Sequence, residues 1–256
     1  MVRILMHGCN GKMGQVISGL LAVDEEAQLV AGIDMTENKN APYPVFRNVW
    51  ECNVEADCLI DFSNAAAVDE MLAYCLEKKL PCVVCTTGLS EAQQRKVEEA
   101  AEHIPVLKSA NMSLGINLLL KLLKNAAQVL AGAGFDMEIV EKHHNQKVDA
   151  PSGTALALAD AINEGVEYTY VYDRSERKEK RPRKEIGISA VRAGSIVGEH
   201  DVIFAGMDEV ITFSHTAYSR AIFGKGAVQA AKFLAGKPAG RYDMSDVIDG
   251  AQGGQE

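Results

Sequence analysis

Over the first 112 residues, short apolar runs alternate with longer stretches in which apolar side chains recur every three or four positions. Residues 2–6, 28–33, 57–62, 81–85 and 105–108 are brief runs of the length and composition of strands. Between them, residues 15–23, 65–79 and 90–103 have helical spacing, and Ser90 stands where an N-cap is expected. Runs that are apolar on successive positions fit strands covered on both faces, which a repeated βα order achieves with a parallel sheet and helices on either side. The pattern therefore predicts an α/β class domain with a doubly wound parallel sheet. Its ligands lie beyond the carboxyl ends of the strands, where residues 8–14, 34, 62–63, 86–88 and 110–113 converge.

After Ser113 the pattern changes. Residues 114–131 form a long helix too apolar for a surface helix, and the period then shortens to two. Residues 135–142, 186–192, 201–207 and 209–216 read as strands, the last two joined by a turn at 206–209. Residues 220–234 return to helical spacing and are expected to pack back on the first domain. The expected division is 1–112 with 222–256 as one domain and 113–221 as a second, strand-rich one. An open sheet has faces and edges that need cover, so the second domain is also the candidate for subunit contacts.

Composition narrows the function classes. The chain of 256 residues carries a net charge of −9, which argues against general nucleic-acid binding and requires local basic groups to draw an anionic ligand. No stretch of 18 or more apolar residues and no basic-then-apolar leader is read in the chain, so a cytoplasmic protein that neither spans a membrane nor is secreted is expected. Residues 173–185 hold seven Lys or Arg against four acids and read as a solvated, mobile loop, with a lid or electrostatic guide as the alternative. Six cysteines are expected to be reduced. Cys82 and Cys85 have C-x-x-C spacing, but in a buried strand positions i and i+3 face opposite sides and cannot chelate together.

Two segments carry chemistry. The first is Gly8-Cys9-Asn10-Gly11-Lys12-Met13-Gly14, which joins a strand to a helix. A glycine turn there lets the backbone approach a pyrophosphate while the helix N-terminus points N–H groups at it. Its G-x-x-G-x-x-G spacing departs from the commoner G-x-G-x-x-G, yet the next strand ends in Asp34, about 20 residues on, where a ribose-binding acid is expected. The second segment is residues 143–154, His-His-Asn-Gln-Lys-Val-Asp-Ala-Pro-Ser-Gly-Thr. It brings His143, His144 and Lys147 to the end of a strand and then opens a helix at Ser152, Gly153 and Thr154. An ammonium, an imidazole and a helix N-terminus together make a receptacle for a carboxylate or phosphate beside a proton donor. His143 and His144 point to opposite sides of an extended backbone, so they have different tasks. Zinc is disfavoured, because no third ligand stands at suitable spacing and Lys147 would repel the metal.

These segments, with Cys85-Thr86-Thr87-Gly88, residues 109–113, and Arg192-Ala193-Gly194 through Gly198-Glu199-His200, resemble the 4-hydroxy-tetrahydrodipicolinate reductase (dihydrodipicolinate reductase) family along essentially the whole chain. The resemblance implies a Rossmann-type cofactor domain, an α+β substrate and oligomerisation domain, and a homotetramer. It implies reduction of a cyclic imine dicarboxylate by NADH or NADPH on the diaminopimelate route to lysine. It makes Lys147 the proton donor and His143 a proton donor or acceptor, with His144, Ser152, Gly153 and Thr154 holding a substrate carboxylate. It puts the cofactor on Gly8, Cys9, Asn10, Gly11, Lys12, Met13, Asp34, Cys85, Thr86, Thr87, Ala110, Asn111, Met112 and Ser113. Two positions depart from the family pattern: Cys85, where a glycine often stands, and Met35, where some members have an arginine. Asp34 followed by Met35 favours NADH, with NADPH also used. Which of His143 and Lys147 gives up the proton stays open. The alternatives are another dinucleotide-dependent dehydrogenase, which should carry a nucleophilic cysteine or a different basic pair, and a non-catalytic sensor, which should carry an output module.

Overall fold

A computed structural model describes residues 1–36, 38 and 40–252. The chain forms two compact units, Met1–Leu114 with the chain from Ala221 onward, and Gly115–Arg220. In the first, β1 (Val2–His7), α1 (Lys12–Leu21), β2 (Ala27–Ile33), β3 (Val45–Phe46), β4 (Cys58–Asp61), α2 (Ala65–Lys78), β5 (Cys82–Val84), α3 (Glu91–Ala101) and β6 (Pro105–Leu107) follow in order. In the second come α4 (Leu114–Gly132), β7 (Asp136–His143), α5 (Gly153–Asn163), β8 (Thr169–Val171), β9 (Glu185–Arg192), β10 (Gly198–Ala205) and β11 (Val210–Ala217). The chain then returns to the first unit through α6 (Ala221–Leu234), β12 (Gly240–Tyr242) and α7 (Met244–Gln252).

The first unit is a seven-stranded sheet, ordered β12-β6-β5-β4-β1-β2-β3, with every pair parallel. Its central strands are apolar at successive positions because both faces are covered. Leu5 and Leu59 pack on one side with Val68, Met71 and Leu72 of α2 and Val97 of α3. Ile4, Met6, Cys58 and Ile60 pack on the other with Ile17 and Leu21 of α1, and with Ala227, Ala230 and Leu234 of α6. Asn64 caps α2, and Ser90 forms a full capping box with Gln93 at the start of α3. Parallel pairing puts the ends of β1, β4 and β5 side by side, and His7 lies opposite Asp61 in the register.

The second unit is a five-stranded mixed sheet, ordered β11-β10-β7-β9-β8. β10 is antiparallel to β7 and β11, whereas β7 and β8 run parallel to β9. Burial along β7 alternates strictly, with Met137, Ile139, Glu141 and His143 on the covered face. Met137, Ile139, Ile186, Ile188, Val202 and Phe204 form one core with Leu119, Leu123 and Ala127 of α4 and Leu158 and Ile162 of α5. α4 is 19 residues with a mean hydropathy of 1.2, long and apolar enough by those measures to cross a membrane. This differs from the expectation of no stretch of 18 or more apolar residues. Here Lys124, within α4, pairs with Glu164 at 2.6 Å.

Residues 173–184 are a largely exposed loop, as expected, but three of their arginines are tied to the sheet. Arg174 bonds Glu138 and Glu185, Arg177 bonds Glu185, and Arg181 bonds Asp136, Glu138 and the carbonyls of Met137 and Glu185. Glu185, counted among the charges of 173–185, is the buried first residue of β9. The arginines neutralise acids on the outward side of β7, and that pairing is invisible until the sheet is assembled.

Candidate active site

At the glycine turn of the first unit, Gly8 has φ +83°, and a side chain there would meet the Phe62 carbonyl oxygen at 2.6 Å. A Cβ on Gly14 would lie 2.2 Å from the Gly8 carbonyl oxygen, so the turn and the first turn of α1 close on each other only without side chains. Helix α1 starts at Lys12, three residues earlier than the periodicity predicted, and its N-cap, Gly11, offers no side chain to its first turn. Free N–H groups at a helix start beside a close-packed glycine turn are what a pyrophosphate needs, so the residues fit a dinucleotide.

Asp34 follows β2 and accepts from the Asn10 N–H at 3.0 Å and from the Thr36 N–H and hydroxyl at 3.0 and 2.7 Å. Burial acts to raise its carboxyl, but the Thr36 and Asn10 hydrogen bonds outweigh that and hold it below the usual carboxylate range. A cleft of about 290 Å³ beside the turn is lined by His7, Gly8, Gly11, Asp34, Met35 and Arg47, among others. Cys85 to Thr87 follow β5, and Ala110 to Ser113 lie beyond β6. Four expected cofactor residues are buried, Cys9, Thr86, Met112 and Ser113; Cys9 and Met112 lie in the hydrophobic core, so either can meet a ligand only through its backbone. Burial pushes the Cys9 thiol up to about 11 and the Cys85 thiol well above its ordinary value, and all six cysteines are free thiols.

Sequence reasoning missed a buried pair beneath this cleft. His7 Nδ1 lies 3.0 Å from Oδ1 of the fully buried Asp61, which also accepts from the Ser63 hydroxyl at 2.6 Å. Burial opposes the charge on Asp61, but His7, Ser63 and Thr86 keep its carboxyl below the usual range.

In the second unit, His143 ends β7, buried, while His144 is half-buried on the other side of the backbone. Lys147 Nζ lies 2.8 Å from Asp149 Oδ1. That ammonium first, and the Gly153 N–H last and least, hold the Asp149 carboxyl below its ordinary value, against a smaller opposing effect of burial. A carboxylate is therefore already stabilised where the sequence predicted an anion receptacle. Ser152 caps α5: its hydroxyl accepts from the Ala155 N–H at 3.1 Å and contacts His200 Nε2 at 3.1 Å, while its own N–H donates to Glu141 at 2.9 Å. Only 1% exposed, it shapes the helix start from below and leaves Gly153 and Thr154 as the outward positions.

Three side chains around His143 (Glu141, Arg192 and His200) lie in or beside the stretches that carry the family resemblance, but sequence reasoning gives them no role. Glu141 Oε2 is 2.6 Å from His143 Nδ1, Arg192 donates to both Glu141 oxygens at 2.7 Å, and the His200 ring meets the His143 ring edge-on at 5.2 Å. Glu141 could have been found from spacing, since residues two apart on a strand share a face. Arg192 and His200 could not, because they reach the site through the register, His143 opposite Arg192 and Glu141 opposite His200.

A glycine turn and strand-end acid on a parallel sheet, with a basic strand end and capped helix start on a second sheet, define the Rossmann-type dinucleotide-dependent oxidoreductases. Residues 2–112 match the N-terminal domain of dihydrodipicolinate reductase and residues 115–248 its C-terminal domain, and the chain belongs to that family. A 4-hydroxy-tetrahydrodipicolinate reductase of Caldanaerobacter subterraneus subsp. tengcongensis is 53% identical over 253 residues, covering 97% of this chain and 98% of the relative. One from Clostridium tetani is 49% identical over 251 residues, with the same coverage. The dipicolinate-bound dihydrodipicolinate reductase from Paenisporosarcina sp. TG-14 has a TM-score of 0.81 at 27% identity, covering 95% of this chain and 97% of that one.

His200 makes folding pH-dependent. Burial first, then the charge on His143, lowers its pKa to about 4 from an ordinary 6.5. The unfolded chain takes up a proton near pH 6.5 that the folded chain refuses until about pH 4, so stability falls as pH drops through that window. The expected loss from this group is about 3 kcal/mol. Urea unfolding at pH 7 and pH 4.5 should show a steeper decline in the native protein than in a His200→Asn variant. Equal declines would exclude His200 as the cause.

Proposed function

We propose that the protein is a 4-hydroxy-tetrahydrodipicolinate reductase. It transfers a hydride from NADH or NADPH, together with a proton, to the cyclic imine dicarboxylate dihydrodipicolinate, formed from the 4-hydroxy substrate by loss of water, giving tetrahydrodipicolinate on the diaminopimelate route to lysine. The observation that carries this reading is the element from His143 to Thr154, folded as strand end, basic loop and capped helix start, in a chain that matches named reductases over 97% of its length.

A reduced nicotinamide dinucleotide bound at the glycine turn supplies the hydride. The remaining tasks fall to side chains of the second unit. Two substrate carboxylates need neutralising, for which Lys147, His144 and the Gly153–Thr154 end of α5 provide an ammonium, an imidazole and a helix N-terminus. Reduction leaves charge on the ring that a proton must quench. Lys147 delivers it, and His143 exchanges a proton through Nε2, the nitrogen not bonded to Glu141. The protein works in the cytoplasm.

Replacement of Lys147 by Ala is expected to lower turnover by about 10²-fold or more, as for a lost positioned acid, with dinucleotide affinity nearly unchanged. The assay is NADH oxidation with substrate freshly made from pyruvate and aspartate semialdehyde. A sensor or a dehydrogenase of other specificity would show no turnover of that substrate, and near-normal turnover of the variant would remove Lys147 from the mechanism.

For cofactor choice, Asp34 accepts from the adenosine ribose hydroxyls and repels the extra phosphate of NADPH, and Met35 offers that phosphate no counter-charge. Lys12, exposed at the start of α1, and Arg47, in the same cleft as Asp34, offset part of the repulsion. NADH is preferred and NADPH is used. Comparison of kcat/KM for the two at matched salt tests this, and a preference for NADPH beyond about tenfold, or 1.4 kcal/mol, would reverse the assignment. The part carried by Lys12 and Arg47 should shrink as ionic strength rises.

The second unit carries the contacts of a homotetramer, as the family resemblance implies. Sedimentation equilibrium at working enzyme concentration should give four times the 27.6 kDa chain mass, and a monomeric mass would refute the assembly.

A further inference from the structure

We infer that Glu141 is a positioning residue that fixes the tautomer of His143, and that Arg192 and Ser152 hold Glu141 to that task. The catalytic consequence rests on the proposed reading of His143 as the imidazole that exchanges a proton with substrate. The tautomer itself rests on geometry alone.

Glu141 is fully buried, yet each oxygen has donors. Oε1 accepts from Arg192 at 2.7 Å and from the Ser152 N–H at 2.9 Å, and Oε2 accepts from Arg192 at 2.7 Å and faces His143 Nδ1 at 2.6 Å. Burial would push this carboxyl up, but Arg192 foremost, then His143 and Ser152, hold it below the usual range, so it is a carboxylate. A carboxylate has no proton to donate, so the short contact requires the proton on Nδ1. Nε2 is then the nitrogen that gains and loses a proton. A Cβ on residue 198 would stand 3.0 Å from Nε2, and Gly198 leaves that edge of the ring open.

His200 from β10, at about 4, stays neutral near pH 7 and does not oppose a proton on His143. The other charged or titratable groups about the ring are Glu141 on its own strand and Arg192 from β9, with His215 opposite His200 on β11 and Lys147 on the following loop. Glu141 and Arg192 cancel when His143 is neutral, and Glu141 directly stabilises the imidazolium when it is not.

Glu141→Gln reverses this arrangement with almost no change of shape. Oε1 takes two donors, Arg192 and the Ser152 N–H, whereas Oε2 takes only Arg192 besides the ring, so the amide oxygen settles at the Oε1 position and the NH2 turns toward Nδ1, displacing the second Arg192 contact. That group donates, so Nδ1 becomes the acceptor and the proton moves to Nε2. The ring also loses the counter-charge for its protonated form.

The tautomer is read by 15N NMR of the imidazole in the unmodified protein, with His143 assigned by its loss in His143→Ala. Below and above its titration Nδ1 should stay protonated while Nε2 changes, and a neutral form protonated on Nε2 overturns the inference. The function is read by kinetics. His143→Ala and Glu141→Gln should each lower kcat by about 10²-fold with KM little changed, and the double variant should fall no further, because both remove one device. A normal kcat in Glu141→Gln, or factors that multiply in the double variant, would show that Glu141 does not act through His143. A normal kcat in His143→Ala would instead defeat the reading of His143 as the proton-exchanging group, and the NMR result would still decide the tautomer.

Discussion

A carboxylate sealed from water is the constraint on which the second unit is organised. Removing an ion from water costs several kcal/mol, and Glu141 bears that cost only because it receives four hydrogen bonds from three different elements. His143 comes from the same strand, Arg192 from the parallel neighbour β9, and the Ser152 N–H from the cap of α5. Each donor is therefore held at both ends, by its own element and by the shared anion. The start of α5 is fixed against the end of β7, and the loop bearing Lys147 is bounded by two anchored points.

The first unit meets the same requirement only in part at its strand ends. Asp61 is as fully buried as Glu141, and its Oδ1 accepts from Ser63 beside His7, but its Oδ2 has no hydrogen-bond partner among the described residues; Asp34, closer to the surface, is held by Asn10 and Thr36. Parallel strands bring these groups together, since the ends of β1, β4 and β5 lie next to one another while their middles are apolar on both faces. The polar atoms sit where the hydrophobic layers stop, and the glycine turn closes over them because Gly8 and Gly14 present backbone where other residues would present side chains.

Long elements were legible because burial leaves a period in the chain. Central strands appeared as apolar runs, β7 and the second half of β10 as alternation, α2, α3 and α4 as helical spacing, and Ser90 and Ser152 as caps. What escaped lies at edges. β3 is two residues, β12 reads Gly-Arg-Tyr, and β8 is three residues, each ordered by one neighbouring strand rather than by its own composition. Helix α7 does carry an amphipathic pattern, but it is short and lies at the end of the chain, and it packs against α6.

The sequence alone determined the alternation of strands and helices, the change of period after Ser113, the glycine turn with Asp34, and the grouping of His143, His144 and Lys147 ahead of a helix start. These are local properties, set by side-chain spacing over a turn of helix or a few strand residues. Only the tertiary structure decided which residues face those groups. It set Glu141, Arg192 and His200 around His143, His7 against Asp61, and the arginines of 173–185 on the acids of β7 and β9. It also turned Ser152, Cys9 and Met112 inward. Each of these depends on which strand lies beside which, and in what register, over separations of up to some 60 residues. A one-residue shift in register would put every such side chain on the opposite face, and no local pattern in the chain records that choice.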